Sequence, residues 1–348
     1  MYTIERIEPS LTDEVACDIN AFENGLAAEL DPAVPPLPVS ATKAYAKHWD
    51  PSDIEDAYAV RAADGTVVGT AWMSAPRDDN LHVSFTRLGV ASAHRRQGVA
   101  TKLFGAFVGF AAEHDRTTLL LGADIHHPAA DGFAASLGAT TAMRAHVNQL
   151  LLADVPDGLV EHWIASANSA TGAVHDYELQ WVPDSECPDE WLADLAVVTD
   201  VLQNDAPMDD IPIGERHTTP EQLRAHAERT RAFGRDWWTL IARHRATGEP
   251  VGYTEMFFPQ ENPKLGSQGA TAVSAKHRGY ALGRWLKATM LQRLLEEKPD
   301  ITTIRTFNAD SNDPMLAINF AMGFKNLYAA ARWMIERADA ETWLEKRT

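Results

Sequence analysis

Arg95-Arg96-Gln97-Gly98-Val99-Ala100 follows a stretch of small and β-branched residues and opens a long amphipathic segment, and Arg278-Gly279-Tyr280-Ala281-Leu282-Gly283 does the same 183 positions later. Both read Arg-x-x-Gly/Ala-x-Gly/Ala. Small residues let a backbone approach a ligand, and the N–H groups of such a turn and of the helix behind it converge on an anion. The spacing matches neither the Gly-Lys-Ser/Thr phosphate loop nor the three-glycine dinucleotide turn. A tight strand-to-helix turn with solvated arginines is the purely structural alternative. Recurrence at one offset favours phosphate binding.

Other segments repeat at nearly the same distance. Asp64-Gly65-Thr66-Val67-Val68-Gly69 parallels Thr247-Gly248-Glu249-Pro250-Val251-Gly252 at 183, and Ser136-Leu137-Gly138-Ala139 parallels Ala321-Met322-Gly323-Phe324 at 185. The chain therefore reads as a diverged tandem duplication. In the first copy the pattern predicts a strand at Tyr2–Ile7, helices at Thr12–Ala28 and Thr42–His48, and a hairpin of Asp56–Ala62 with Thr66–Ser74 turning at Asp64-Gly65. Strand Leu81–Val90 follows, then a helix over Val99–His114 carrying Leu103, Phe107, Phe110 and Ala111 at helical spacing. Strand Thr117–Gly122, a short helix to Leu137 and a strand pair to Leu152 complete the copy. The second copy gives strand His175–Val182, helix Glu190–Gln203, and helix Pro220–Ala232 capped by Thr219 with Gln222 three residues on. Hairpin Trp237–Arg245 with Val251–Phe258, strand Gly269–Ala275, helix Leu282–Glu297, strand Ile301–Phe307, helix Pro314–Met322 and a closing hairpin over Phe324–Arg337 follow. The expected domains are 1–155 and 173–348, joined by a short helix and linker at 156–172.

The chain has 348 residues, enough for about two domains. Its 45% hydrophobic and 23% charged composition excludes disordered, collagen-like and disulfide-scaffold classes. Cys17 and Cys187 are too few for a zinc cluster, which points to a reducing compartment. MYTIERIEPS has neither a basic leader nor an apolar core, and no segment approaches the ~18 apolar residues of a membrane span, so a cytoplasmic protein is expected. A net charge of −18 opposes binding to nucleic acid or an anionic membrane and favours cationic partners. An anionic cofactor must then be held by local donors.

The turn and the order of elements around it resemble motif A and the fold of the GCN5-related N-acetyltransferases, the GNAT family, across most of both copies. The segment around His277-Arg278-Gly279, Asn308 to Phe324 and Asn204-Asp205-Ala206-Pro207 resemble a tandem or single subgroup common in actinobacteria. The resemblance implies an α/β (α+β) architecture of two tandem domains, each a mixed, mostly antiparallel sheet flanked by helices. It also implies acetyl-CoA (CoA) as cofactor, with its pyrophosphate on Arg95, Arg96, Gln97, Gly98, Val99 and Ala100 in the first copy. In the second copy the corresponding residues are Arg278, Gly279, Tyr280, Ala281, Leu282 and Gly283, with Asn312 on the pantetheine arm. The oxyanion-stabilising N–H falls at Val273 or Ser274, or at Val90 or Ala91. Ala281 replaces a family glycine, and the tyrosine that many members use to protonate the leaving thiolate is replaced by Ala134 and Asn319.

Acyl transfer needs a neutral amine, so a carboxylate must remove a proton from an alkylammonium. Glu255 is the candidate base or amine anchor, with an outward-facing strand glutamate as the bland alternative. Residues 183–210 hold nine acidic residues and no Lys or Arg, and Asp205, Asp209 and Asp210 lie where the family places its acceptor loop. Asp205 and Asp209 are therefore the expected substrate contacts, beside a solvated acidic face as the alternative. His126-His127 lacks partners for a metal site, so no metal is expected. Trp237-Trp238 reads as one core and one surface residue. The expected activity is acetylation of a primary amine on a small, cationic molecule in the second copy. Mycothiol synthase, a tandem member of the family, and a non-catalytic acyl-CoA-binding or scaffold protein are the alternatives.

Overall fold

The structure is a computed structural model and describes all residues except 124, 170, 183–187 and 348. Asp124 and Cys187 lie outside the described residues. In chain order the elements are β1 (Thr3–Arg6), α1 (Asp13–Leu30), α2 (Val39–Lys47), β2 (Asp53–Arg61), β3 (Val67–Pro76), β4 (Val83–Val90), α3 (Val99–Glu113), β5 (Thr118–Ala123), α4 (Pro128–Leu137) and β6 (Thr140–Leu151). The second half continues with α5 (Leu159–Ala167), β7 (Tyr177–Val182), α6 (Asp189–Asp205), α7 (Pro220–Ala232), β8 (Arg235–His244), β9 (Pro250–Pro259) and β10 (Leu265–Val273). It ends with α8 (Leu282–Glu297), β11 (Thr303–Ala309), α9 (Asp313–Met322), β12 (Lys325–Glu336) and α10 (Arg337–Glu345).

Two compact units result. Unit 1 comprises Met1–Arg144, Asp209–Ile213 and Ala329–Thr348; unit 2 comprises Ala145–Met208 and Gly214–Tyr328. Unit 1 has the strand order β1-β2-β3-β4-β5-β12, antiparallel except for the parallel pair β4/β5. Unit 2 has the order β7-β8-β9-β10-β11-β6, antiparallel except for β10/β11. Each sheet is thus completed by the last strand of the other sequence copy. The expected boundary near residue 172 is one between sequence repeats, whereas the compact units interchange their final strands, and α5, expected in the linker, belongs to unit 2.

The closing hairpins expected at the end of each copy are single 12-residue strands. Neither stretch contains a Gly, Pro or Asn-Gly pair to reverse the chain. Elsewhere the local rules hold. Gly65 adopts φ +89 in the β2/β3 turn, where Asp64 Oδ1 accepts from Thr66 N at 3.0 Å. At α7, Thr219 Oγ1 accepts from Gln222 N and Gln222 Oε1 accepts from Thr219 N, a reciprocal capping box.

In unit 1, Leu103, Phe104 and Phe107 of α3 are fully buried, and Phe104 meets Phe133 and Trp343 edge-on with centroids 5.8 Å apart in each pair. In unit 2, α8 buries Leu286, Met290 and Leu294 against the sheet and α5. Trp237 and Trp238 are both buried, which corrects the expectation of one surface residue. They lie on opposite faces of β8, and each face is covered, one beside α6 and α7, the other beside α5 and α8.

Candidate functional site

The two turns have the same backbone shape. The second and fourth motif positions are left-handed in both: Arg96 (φ +61) and Gly98 (+85) in unit 1, Gly279 (+90) and Ala281 (+58) in unit 2. Left-handed residues placed between others gather successive N–H groups into a concavity, and the N-termini of α3 and α8 add their dipoles. A Cβ at Gly98 or Gly279 would meet no protein atom within 4 Å, so the space above both turns is open; at Gly283 it would lie 3.2 Å from Ile318 Cδ1. Val99 and Leu282 are buried as the first helical residues, while Arg96, Gln97, Gly279 and Tyr280 are exposed. Ala100 packs partly buried against the unit 1 core.

The leading arginines do not project freely. Arg95 Nε donates to Val90 O at 3.1 Å and its guanidinium pairs with Glu29, while Arg278 Nε donates to Val273 O at 3.0 Å and Nη2 donates to Asp205 at 2.9 Å. Each arginine ties its turn to the end of the preceding strand, and an acid from the first long helix of its unit offsets its charge. Expected as cationic ligands of phosphate, they act locally as clamps. Asp205, expected to meet substrate, is the partner of Arg278, and Asp209 belongs to the segment assigned to unit 1.

Behind each turn a tyrosine bonds a histidine, a feature that was not read from the sequence. Tyr2 Oη lies 2.9 Å from His94 Nδ1 and donates to Gln97 Oε1 at 2.7 Å. Tyr177 Oη lies 3.0 Å from His277 Nδ1, whose Nε2 is 3.1 Å from Glu249 Oε1, and the Tyr177 ring contacts that of Tyr280. His94 and His277, and likewise Gln97 and Tyr280, are 183 positions apart.

Beside each turn the sheet opens. Parallel pairing of β4 with β5 ends at Thr86/Leu121, and that of β10 with β11 at Ser267/Arg305. In unit 2 the register between β10 and β9 also shifts between Gln268 and Thr271. The Ser274 N–H donates to Val251 O and the Ala91 N–H donates to Val68 O, so neither serves as an oxyanion donor. Ladder alternation turns the N–H of Val273, and of Val90 in unit 1, away from those neighbours and toward the split.

Glu255 lies opposite the irregularity in β10. Its Oε2 accepts from Trp237 Nε1 at 2.9 Å and its Oε1 from Ala270 N at 3.1 Å. Part of the residue reaches solvent, yet protein surrounds the carboxyl closely enough that desolvation raises its pKa, against the two donors that act to lower it. A carboxyl held this way can take a proton from an amine. Asn312 caps α9, its Oδ1 accepting from Met315 N at 3.4 Å, and His127 caps α4 in the same manner through Nδ1. His126 pairs with Asp131. Among the described residues no group of three or more His, Cys, Asp or Glu side chains is gathered as for a metal ion.

Two polar residues of unit 2, Asn148 and Lys287, were also missed, and Asn308 and Asn319 were named only for the subgroup resemblance and the absent tyrosine. Asn308 Oδ1 accepts from Asn319 Nδ2 at 2.9 Å and from Asn148 Nδ2 at 3.2 Å, and Asn148 and Asn319 are fully buried. Lys287, also buried, has its Nζ 5.6 Å from the centroid of the Phe324 ring, and desolvation lowers its pKa to about 7. An apolar reading of α8 by periodicity passes over it.

Residues 26–139 match the model of the acetyltransferase (GNAT) family. A tandem GNAT protein from the clavulanic acid biosynthesis pathway is 25% identical and superposes with a TM-score of 0.77, covering 97% of this chain and 99% of that one. The chain carries a GNAT acetyltransferase domain within a tandem GNAT fold. A GCN5-related N-acetyltransferase from Sphaerobacter thermophilus (14% identity, TM-score 0.68, 97% and 96% coverage) has the same GNAT fold. So does a putative acetyltransferase from Pyrococcus horikoshii (13%, 0.57, 96% and 89%). No curated protein matches the chain. The GNAT assignment supports an acyl-CoA-dependent N-acyltransferase. No helix among the described residues is long and apolar enough to cross a membrane.

Proposed function

We propose that the protein transfers an acetyl group from acetyl-CoA to a primary amine of a small, cationic molecule, by direct attack on the thioester in unit 2. The observation that carries this reading is the conjunction, in a GNAT fold, of the left-handed turn at Gly279 and Ala281, the split between β10 and β11, and Glu255 opposite the irregularity in β10. The turn would hold the pyrophosphate through backbone N–H groups, and Asn312 the pantetheine arm. Glu255 would accept a proton from the ammonium, and the Val273 N–H would stabilise the oxyanion. The amine nitrogen bonds to the acyl carbon, the carbon–sulfur bond breaks and the sulfur leaves with the electron pair.

Calorimetry with acetyl-CoA at low salt tests the first half of this reading. Binding at no more than two sites per chain is expected, with Gly98→Glu and Gly283→Glu each removing one. Unchanged stoichiometry and affinity in both variants would make the turns purely structural. The second half is tested by Glu255→Gln, which should lower the rate about tenfold in a way that high salt does not reproduce, since a desolvated contact is screened far less than long-range steering. An unaltered rate and pH profile, or a preference for anionic amines, would place the base elsewhere.

A further inference from the structure

Unit 2 is polar at places where unit 1 is apolar. Lys287 stands 183 positions after Phe104, Asn308 and Asn319 stand 185 after Ala123 and Ala134, and the interchanged strands bring Asn148 where unit 1 has Trp333, 185 positions later. The pairings agree, since Thr306 opposes Asn148 on β6 as Leu121 opposes Trp333 on β12. The four residues are gathered on one side of the sheet. Asn319 and Asn148 both bond to Asn308, three residues beyond the last β10/β11 pair. Gly283 of α8 packs near Ile318 of α9, and Lys287 is one turn beyond Gly283 as Asn319 is beside Ile318. Phe324, whose ring faces the Lys287 Nζ, donates its N–H to Asn319 O at 3.1 Å.

This neighbourhood is incomplete as a hydrogen-bonded network. Asn148 Oδ1 and Asn319 Oδ1 are buried and meet no donor from the protein. Reversing all three amides would exchange oxygen for nitrogen but still leave two buried polar ends unmatched. Buried groups of this kind are normally satisfied, by protein or by ordered water, and leaving them unmet is costly. A molecule that both donates and accepts, small enough for an interior site, satisfies either arrangement.

We infer that unit 2 holds a water molecule at Asn148 and Asn319 beside Lys287, and that this buried site returns a proton to the sulfur that leaves the thioester. The inference rests on the proposed acetyl transfer. As the carbon–sulfur bond breaks, the sulfur takes a proton from the water, the Lys287 ammonium restores the water's proton, and the lysine recovers one from the proton shed by the attacking amine. Lys287 suits exchange at neutral pH because burial alone has lowered its affinity for the proton; no charged group contributes to that shift. Asn148, Asn308 and Asn319 act as positioning residues.

Two measurements on the full chain test it. A crystal structure should show a water between the side-chain ends of Asn148 and Asn319, and a dry cluster would overturn the site. Lys287→Met should lower kcat about a hundredfold, leave the KM for acetyl-CoA unchanged and abolish the alkaline decline of kcat, with no loss of thermal stability. Wild-type kcat and pH profile in Lys287→Met would overturn the proton-returning role. A wild-type protein that binds acetyl-CoA but acetylates no amine would instead break the proposed function, and the crystal structure would still decide the water site.

Discussion

The third helix of unit 1 and its counterpart in unit 2 put opposite chemistry at one place: Phe104 among the rings of Phe133 and Trp343, and Lys287 over the ring of Phe324. The same contrast appears on β3 and β9, where Trp72 of unit 1 corresponds to Glu255 of unit 2. Trp72 Nε1 donates to Glu23 of α1, and Trp237 of β8 donates to Glu255, so a tryptophan–carboxylate contact is kept while the carboxylate moves from helix to strand. The two units share strand order and turn conformation while these interior positions differ. One unit uses these positions to build core. The other keeps titratable and amide groups inside at an energetic cost that packing alone does not explain.

The largest test of that difference is stability. Folded, Lys287 releases its proton near pH 7, well below its ordinary 10.5, so between those values the unfolded chain binds more protons and stability rises with pH. Lys287→Met should therefore stabilise the protein by on the order of 4 kcal/mol at and below pH 7, with the gain fading as pH approaches 10.5. Phe104→Met should instead cost about 1 kcal/mol at every pH. Denaturant titrations between pH 6 and 10 read both; a gain for Lys287→Met that does not vary with pH would mean that the lysine is not buried as described. Next in size, Arg278→Ala should reduce turnover about a hundredfold by freeing the turn and the end of β10, whereas Arg95→Ala leaves most of it. The reverse pattern in steady-state kinetics would move the reaction to unit 1. The smallest effect sharpens the comparison of the turns themselves. Ala281→Gly should stabilise by about 1 kcal/mol because it relieves a left-handed alanine, and Gly98→Ala should destabilise by a similar amount, both measured by denaturation.

Much of this was legible in the residues. The turns, the Asp64-Gly65 hairpin and the Thr219 cap depend on nearest neighbours, so local rules reach them. The final strands were not, because β6 and β12 are both long strands that follow a short helix ended by a left-handed glycine, Gly138 or Gly323, and nothing local says which sheet each joins. Of the site, the turn positions were found by spacing, but the ion pairs of Arg95 and Arg278 depend on Glu29 and Asp205, 66 and 73 positions away. Lys287 was hidden for a different reason. Its neighbours Leu286 and Leu291 mark the helix as core, and only the offset of 183 applied along the whole helix, rather than at the turn alone, sets it against Phe104. Tyr2 and Tyr177 escaped because their separation of 175 differs from that of the histidines they bond.

The interchange of last strands changes what counts as a part of this molecule. Severing the chain between α5 and β7 would give two polypeptides, neither of which contains a whole unit: the first would lack β12, and the second would lack β6 and α5. Each fragment would carry a strand that in the intact chain pairs in the other's sheet. A single repeat could close its sheet only by turning its own last strand into the place that the other repeat's strand fills in the intact chain, β12 beside β5 or β6 beside β11.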